Sequence, residues 1–127
     1  MDLKLGYIIL YVEDLEKTKQ FYGELLGLNL KNEFGTYIEY DTGSTILSMN
    51  TRENGRELTD LPIPAGFREE QTMELGFVTE DVEGTIEKAR KAGVRILLEP
   101  VKKPWGQTVA YMEDPDGHYI EICTPIG

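Results

Sequence analysis

The sequence predicts an α+β fold. Two tandem βαβββ modules would form a curved, mixed eight-stranded sheet around a cleft, with the helices on its outer face. Three observations lead there. A strand runs into a capped helix twice, over 5–26 and over 73–92. The two strand-to-helix corners match residue by residue at an offset of 67: Glu13-Asp14-Leu15-Glu16 with Thr18 repeats as Glu80-Asp81-Val82-Glu83 with Thr85. Three short β-prone runs follow each helix.

The elements follow in chain order. Leu5 to Val12 is almost wholly apolar, the pattern of a central strand covered on both faces. Asp14 is an N-cap with Glu16 in the first turn. Leu15, Thr18, Phe21, Tyr22, Leu25 and Leu26 then recur at helical spacing, and Gly27 stops the helix. Leu28 to Leu30, Phe34 to Tyr40 and Thr45 to Met49 read as strands, separated by turns at Asn32 to Gly35 and at Asp41-Thr42-Gly43. Residues 1–50 thus make module one. Residues 51–71 are polar and irregular, a linker or lid whose Leu58, Leu61, Ile63 and Phe67 pack part of it down. Residues 72–127 make module two. It has a strand at Met73 to Thr79, a helix carrying Val82, Ile86, Ala89 and Ala92 up to Gly93, and strands at Val94 to Leu98, Thr108 to Met112 and Tyr119 to Cys123. Phe21, Tyr22, Leu25, Leu26, Ile86 and Ala89 are assigned to the core.

A four-stranded sheet with one helix covers a single face, so the other face must be buried by a partner module or line a cavity. Outward residues of the first and last strands point toward that cavity: Tyr7 and the region of Leu47 in module one, Glu74 and Glu121 in module two. Glu121 is the informative one. Asp114-Pro115-Asp116-Gly117 is a tight turn feeding the last strand, and alternation puts Glu121 opposite Ile120 and Ile122. A carboxylate there is either solvent-exposed or aimed into a cavity.

Composition narrows the function. The chain has 127 residues, 40% of them hydrophobic, and a formal net charge of −10. That charge disfavours nucleic acid and anionic membrane surfaces and favours cationic or neutral ligands. No apolar run approaches the roughly 18 to 20 residues of a membrane span, and Met1 to Lys4 lacks the features of a signal peptide. Cys123 is the single cysteine, read as a buried apolar residue, and a cytoplasmic location is expected. His118, the single histidine, is read as a turn residue pointing away from Glu121.

In this order, Leu10-Tyr11-Val12-Glu13-Asp14-Leu15, Phe21-Tyr22, Leu26-Gly27-Leu28, Glu74-Leu75-Gly76-Phe77, Pro104-Trp105-Gly106-Gln107 and Asp114-Pro115-Asp116-Gly117 with Ile120-Glu121-Ile122 resemble the vicinal oxygen chelate superfamily. That superfamily includes glyoxalase I, extradiol dioxygenases and the fosfomycin- and bleomycin-resistance proteins. The resemblance covers nearly the whole chain, which it makes a single glyoxalase/bleomycin-resistance-like domain. It implies that four metal-ligand positions map to Tyr7, Leu47, Glu74 and Glu121, so two of the four are lost.

Zinc, nickel and iron sites usually draw on imidazole or thiolate, which these positions lack. No cofactor is favoured; Glu74 and Glu121 alone would suit a hard cation such as Mg, Mn or Ca. Without metal, two mutually repelling carboxylates would leave one of them able to serve as a base, making Glu121 the catalytic candidate. Equally, the pair makes the cleft acidic. The expected ligand-binding set is Tyr7, Glu39, Met49, Glu74, Trp105, Tyr111 and Glu121. Trp105 is either a stacking surface or a cover over a core edge, and Tyr7 either donates to a ligand or packs. The leading expectation is a metal-free homodimer that sequesters a small molecule in an acidic, aromatic cleft. The alternative is a glyoxalase-like lyase or isomerase using Glu74 and Glu121 as metal ligands or base.

Overall fold

In the computed structural model, which describes residues 1–126, the chain divides into two units, Met1–Gly66 and the residues from Phe67 onward. The first comprises β1 (Tyr7–Val12), α1 (Leu15–Thr18) continuing as a π-helical segment (Lys19–Leu25), β2 (Asn29–Phe34), β3 (Tyr37–Asp41), β4 (Ile46–Thr51) and α2 (Arg52–Thr59). The second comprises β5 (Glu74–Val78), α3 (Val82–Lys91), β6 (Ile96–Lys102), β7 (Thr108–Glu113) and β8 (Tyr119–Cys123). The eight strands divide four and four into mixed sheets of order β1-β4-β3-β2 and β5-β8-β7-β6. In each, the first strand runs parallel to the last strand of its unit and the other pairings are antiparallel. The fold is α+β with two βαβββ-like modules.

The repeat seen in the sequence is repeated in the bonds. Asp14 Oδ1 accepts from Lys17 N at 3.2 Å, and Asp81 Oδ1 from Gly84 N at 2.9 Å. Thr18 Oγ1 donates to the Asp14 carbonyl at 3.0 Å, and Thr85 Oγ1 to that of Asp81 at 2.8 Å. Each corner therefore satisfies amides that a helix start leaves open. Gly27 and Gly93 follow the helices at φ 74° and 85°, a backbone that side-chain-bearing residues resist.

One face of each sheet is the core. In the first unit it holds Leu10, Val12, Ile38, Tyr40, Leu47 and Met49, all buried, with the Tyr22 ring 6.4 Å from that of Tyr40. In the second, Leu75, Ala110, Met112, Ile120 and Ile122 are buried on the side where α3 brings Val82, Ile86 and Ala89. Leu25 and Leu26 are half-buried rather than fully interior.

Four local differences separate the observed elements from the expected ones. The helix after Asp14 is α-helical for four residues only, and Leu26 N then reaches back five residues to the Phe21 carbonyl at 3.0 Å. The turn between β2 and β3 is Gly35-Thr36, because Gly35 takes φ 61°; this leaves Asn32 inside β2, opposite Glu39. Strand β6 runs on to Lys102 through Pro100, which a register shift between Leu98 and Val101 accommodates on this edge strand. The stretch expected to be irregular opens with α2, capped by Thr51 Oγ1 accepting from Asn54 N at 3.2 Å. Here α2 sits against Tyr11 of β1: a Cβ on Gly55 would fall 2.5 Å from the Tyr11 ring. The polar residues of 51–59 thus cap a helix and join it to the sheet, which a count of apolar residues does not reveal. No helix among the described residues is long and apolar enough to cross a membrane.

Candidate functional site

The last strand begins where the Asp114 turn releases it. Asp114 Oδ1 accepts from the backbone N–H of Asp116 at 2.9 Å and of His118 at 2.8 Å, while Oδ2 lies 2.7 Å from His118 Nδ1. Gly117 takes φ 91°, and a Cβ there would come within 2.3 Å of the Arg68 carbonyl oxygen. Held this way, β8 presents Tyr119, Glu121 and Cys123 on the face away from α3. His118 is spent on the turn.

Register places the rest of the site. Glu121 is opposite Gly76 on one side and Tyr111 on the other. Gly76 leaves room for the carboxylate, since a Cβ there would stand 3.2 Å from Glu121 Oε1. Tyr111 donates its hydroxyl to Glu121 Oε2 at 3.3 Å, and Glu74, two residues before Gly76, acts on the same phenol. Burial, then the charges of Glu121 and Glu74, push the Tyr111 phenol up to about 12. It therefore remains a neutral donor between two carboxylates. Glu121 is half-buried and Glu74 exposed.

Cys123 lies on the same face, 3.8 Å from the Phe77 carbonyl oxygen it donates to. Burial and then the charges of Glu121 and Glu74 raise its thiol pKa, so it is held in the unreactive form. Gln107, just before β7, also belongs to this face and reaches Cys123. Trp105 is 62% exposed, and its indole N–H donates to Gln107 Oε1 at 2.9 Å.

The corresponding face of the first unit has a different chemistry. Glu39 Oε1 accepts from Asn32 Nδ2 at 2.8 Å and Oε2 from the Tyr37 hydroxyl at 2.7 Å; these bonds hold its pKa below the usual value. Both its oxygens are thus already bonded. Tyr7 and Ile9 share this face and are exposed, and Ser48 lies between Ile9 and Glu39 in register, fully buried.

The register corrects two expected placements. Glu121 opposes Gly76, whose counterpart at the 67-residue offset is Ile9, and Ile9 opposes Ser48. Ser48, not Leu47, therefore occupies the position equivalent to Glu121. Leu47 lies one residue away, on the core face, because counting from a turn glycine misjudges parity by one. Met49 is also on the core face, opposite Leu10 and Ile38, and walls no polar face. Of the other residues, Glu74, Tyr111 and Glu121 come together. Trp105 adjoins their sheet face through Gln107, and Tyr7 and Glu39 share the polar face of the first sheet. Asn32, Tyr37, Ser48, Gly76 and Gln107 were not anticipated. Gly76 and Gln107 lie within motifs that pointed to the fold, but only pairing shows what they touch.

Among the described residues no three His, Cys, Asp or Glu side chains converge as a metal set. Two of the family ligand positions fall in each unit: the phenol of Tyr7 and the hydroxyl of Ser48 in the first, the carboxylates of Glu74 and Glu121 in the second. Neither pair supplies the imidazole or thiolate on which zinc, nickel and iron sites usually draw beside carboxylates.

A family model for the glyoxalase-like domain matches residues 5–127, and the chain belongs to that family. It is 34% identical to the uncharacterised protein YraH of Bacillus subtilis, over 94% of this chain and 97% of that one. It is 31% identical to a probable lactoylglutathione lyase of Synechocystis, over 93% of this chain and 92% of that one. The crystal structure of a glyoxalase-related enzyme from Fulvimarina pelagi superposes with a TM-score of 0.83 at 28% identity, covering 98% of this chain and 92% of that one.

Proposed function

We propose that the chain is a small-molecule binding protein of the glyoxalase-like family, working as a homodimer that sequesters a cationic ligand without metal. The observation that carries this reading is the convergence of Glu74, Glu121 and a protonated Tyr111 on one sheet face. Two carboxylates offer a cation charge and acceptors, and Trp105 offers an aromatic surface. The net charge of −10 adds a field that draws cations in.

Calorimetric titration with benzyltrimethylammonium tests it. The expected result is saturable binding that weakens about ten-fold in Glu121→Gln, the size of one lost charged contact. Absence of binding to the wild type overturns it. Elemental analysis of protein purified without chelator, with Mg, Mn, Ca, Ni and Zn titrations, tests the metal-free part: stoichiometric metal lost in Glu121→Gln sinks it. Sedimentation tests the dimer.

The second reading is a glyoxalase-like lyase or isomerase, with Glu74 and Glu121 as hard-cation ligands or Glu121 as base. It is favoured by relatives named lactoylglutathione lyase, among them that of Haemophilus influenzae at 28% identity. Lactoylglutathione turnover, with and without added divalent ions, supports this reading if it is lost in Glu121→Gln, and counts against it if no turnover is found.

A further inference from the structure

From the bonds around Gln107 we infer that this residue positions Trp105, fixing its indole as a stacking wall selective for flat, aromatic cations. The inference deepens the binding function proposed above and rests on it. Trp105 is the single tryptophan of the chain and is 62% exposed, so packing does little to hold it. Its one polar atom is committed: Nε1–H donates to Gln107 Oε1 at 2.9 Å. Gln107 is itself 8% exposed, and its Nε2 donates to the Thr124 carbonyl at 2.8 Å. The amide therefore has an acceptor facing the indole and a donor tied to the backbone just past β8. A flip of the amide would break both bonds, which sets its orientation.

The backbone beneath is equally constrained. Lys103 N donates to the Gln107 carbonyl at 2.8 Å and Gly106 N to that of Lys103 at 2.9 Å, with Gly106 at φ 98°. Thr108 N donates to Thr124 Oγ1 at 2.9 Å, and Thr124 N to the Thr108 carbonyl at 3.0 Å. The turn that carries Trp105 is thus fastened to the end of β8, the strand that carries Glu121. An exposed indole held on a rigid support offers aromatic surface with little ordering cost when a ligand arrives. Alternation along β7 puts Gln107 on the face of Tyr111. A ligand with a cationic group at Glu74 and Glu121 and a flat group directed toward Gln107 fits this layout.

The test compares an aromatic cation, benzyltrimethylammonium, with an aliphatic one, tetramethylammonium, in the wild type, Gln107→Met and Trp105→Phe. It adds tryptophan fluorescence anisotropy for the wild type and Gln107→Met. Methionine keeps the length and bulk of glutamine but offers the indole no amide. The expected result is about a five-fold loss of aromatic-cation affinity in Gln107→Met, with tetramethylammonium unchanged and a more mobile indole. Trp105→Phe, which leaves the Gln107–Thr124 bond in place, shows the same selective loss. An equal loss for both cations, or an indole as immobile in Gln107→Met as in the wild type, overturns the inference. If neither cation binds the wild type, the binding function itself fails, while anisotropy still decides whether Gln107 positions the indole.

Discussion

Tyr111 is the residue whose environment is most telling. Its phenol lies beside two carboxylates and partly out of water, so forming phenolate there adds a third negative charge. The folded pKa, about 12, stands above the ordinary value of 10.0, so Tyr111 weakens folding only as pH rises from 10 through about 12, and its contribution is intact below that window. Alkaline titration by ultraviolet absorbance, comparing wild type with Tyr111→Phe, is expected to place the missing tyrosine near the top of that window. Glu121→Gln moves it back toward the ordinary value. A Tyr111 that titrates with the bulk tyrosines in the wild type counts against the carboxylate cage. Glu39 behaves oppositely. Its bonds from Asn32 and Tyr37 favour the charged form, so its contribution is present above the usual carboxylate pKa and fades as pH falls through the lowered one. In Glu39→Gln, acid denaturation curves are expected to lose that component.

Among the elements, the turn before β8 and the helix after β4 depend on what a glycine omits. Gly117→Ala imposes a left-handed backbone on alanine and drives its Cβ into the Arg68 carbonyl. The expected cost is about 2 to 4 kcal/mol by urea denaturation. A loss under half of that lower bound means that the 67–68 segment gives way at little cost. Gly55→Ala tests α2 in the same manner. Its Cβ would press on the Tyr11 ring and on Ile63, 3.0 Å away. About 1 to 3 kcal/mol is expected, with faster deuterium exchange confined to α2 and the residues up to Ile63. Uniformly faster exchange across β1 and β4 would show that α2 is part of the unit's core and not a separately docked element.

For the whole molecule, charge is the property that reaches furthest. At −10, long-range attraction adds to local contacts for any cation. Benzyltrimethylammonium affinity is therefore expected to fall several-fold between about 0.01 and 0.15 M salt, as the Debye length shrinks from ~30 to ~8 Å. Titration at the two salt concentrations checks this, and an affinity indifferent to salt would place the ligand away from Glu74 and Glu121.

The sequence by itself determined the two-module plan, because its signals are local. Asp14 and Asp81 cap their helices through bonds three residues away, and Gly27 and Gly93 end them through their own dihedral freedom. Glu121 was legible as a distinctive carboxylate for the same reason: the Asp114 turn and the alternation of β8 are both short-range. What only the tertiary structure decided is pairing. Ser48 replaces Leu47 as the counterpart of Glu121, and Met49 turns to the core, because one residue of register exchanges the two faces of a strand. The meeting of Tyr111 with Glu74 and Glu121, the room left by Gly76 and the bond from Trp105 to Gln107 depend on atoms brought together by strand register and turn closure. Helix α2 was hidden because its polar residues stabilise it by capping and by contact with Tyr11, not by an apolar stripe.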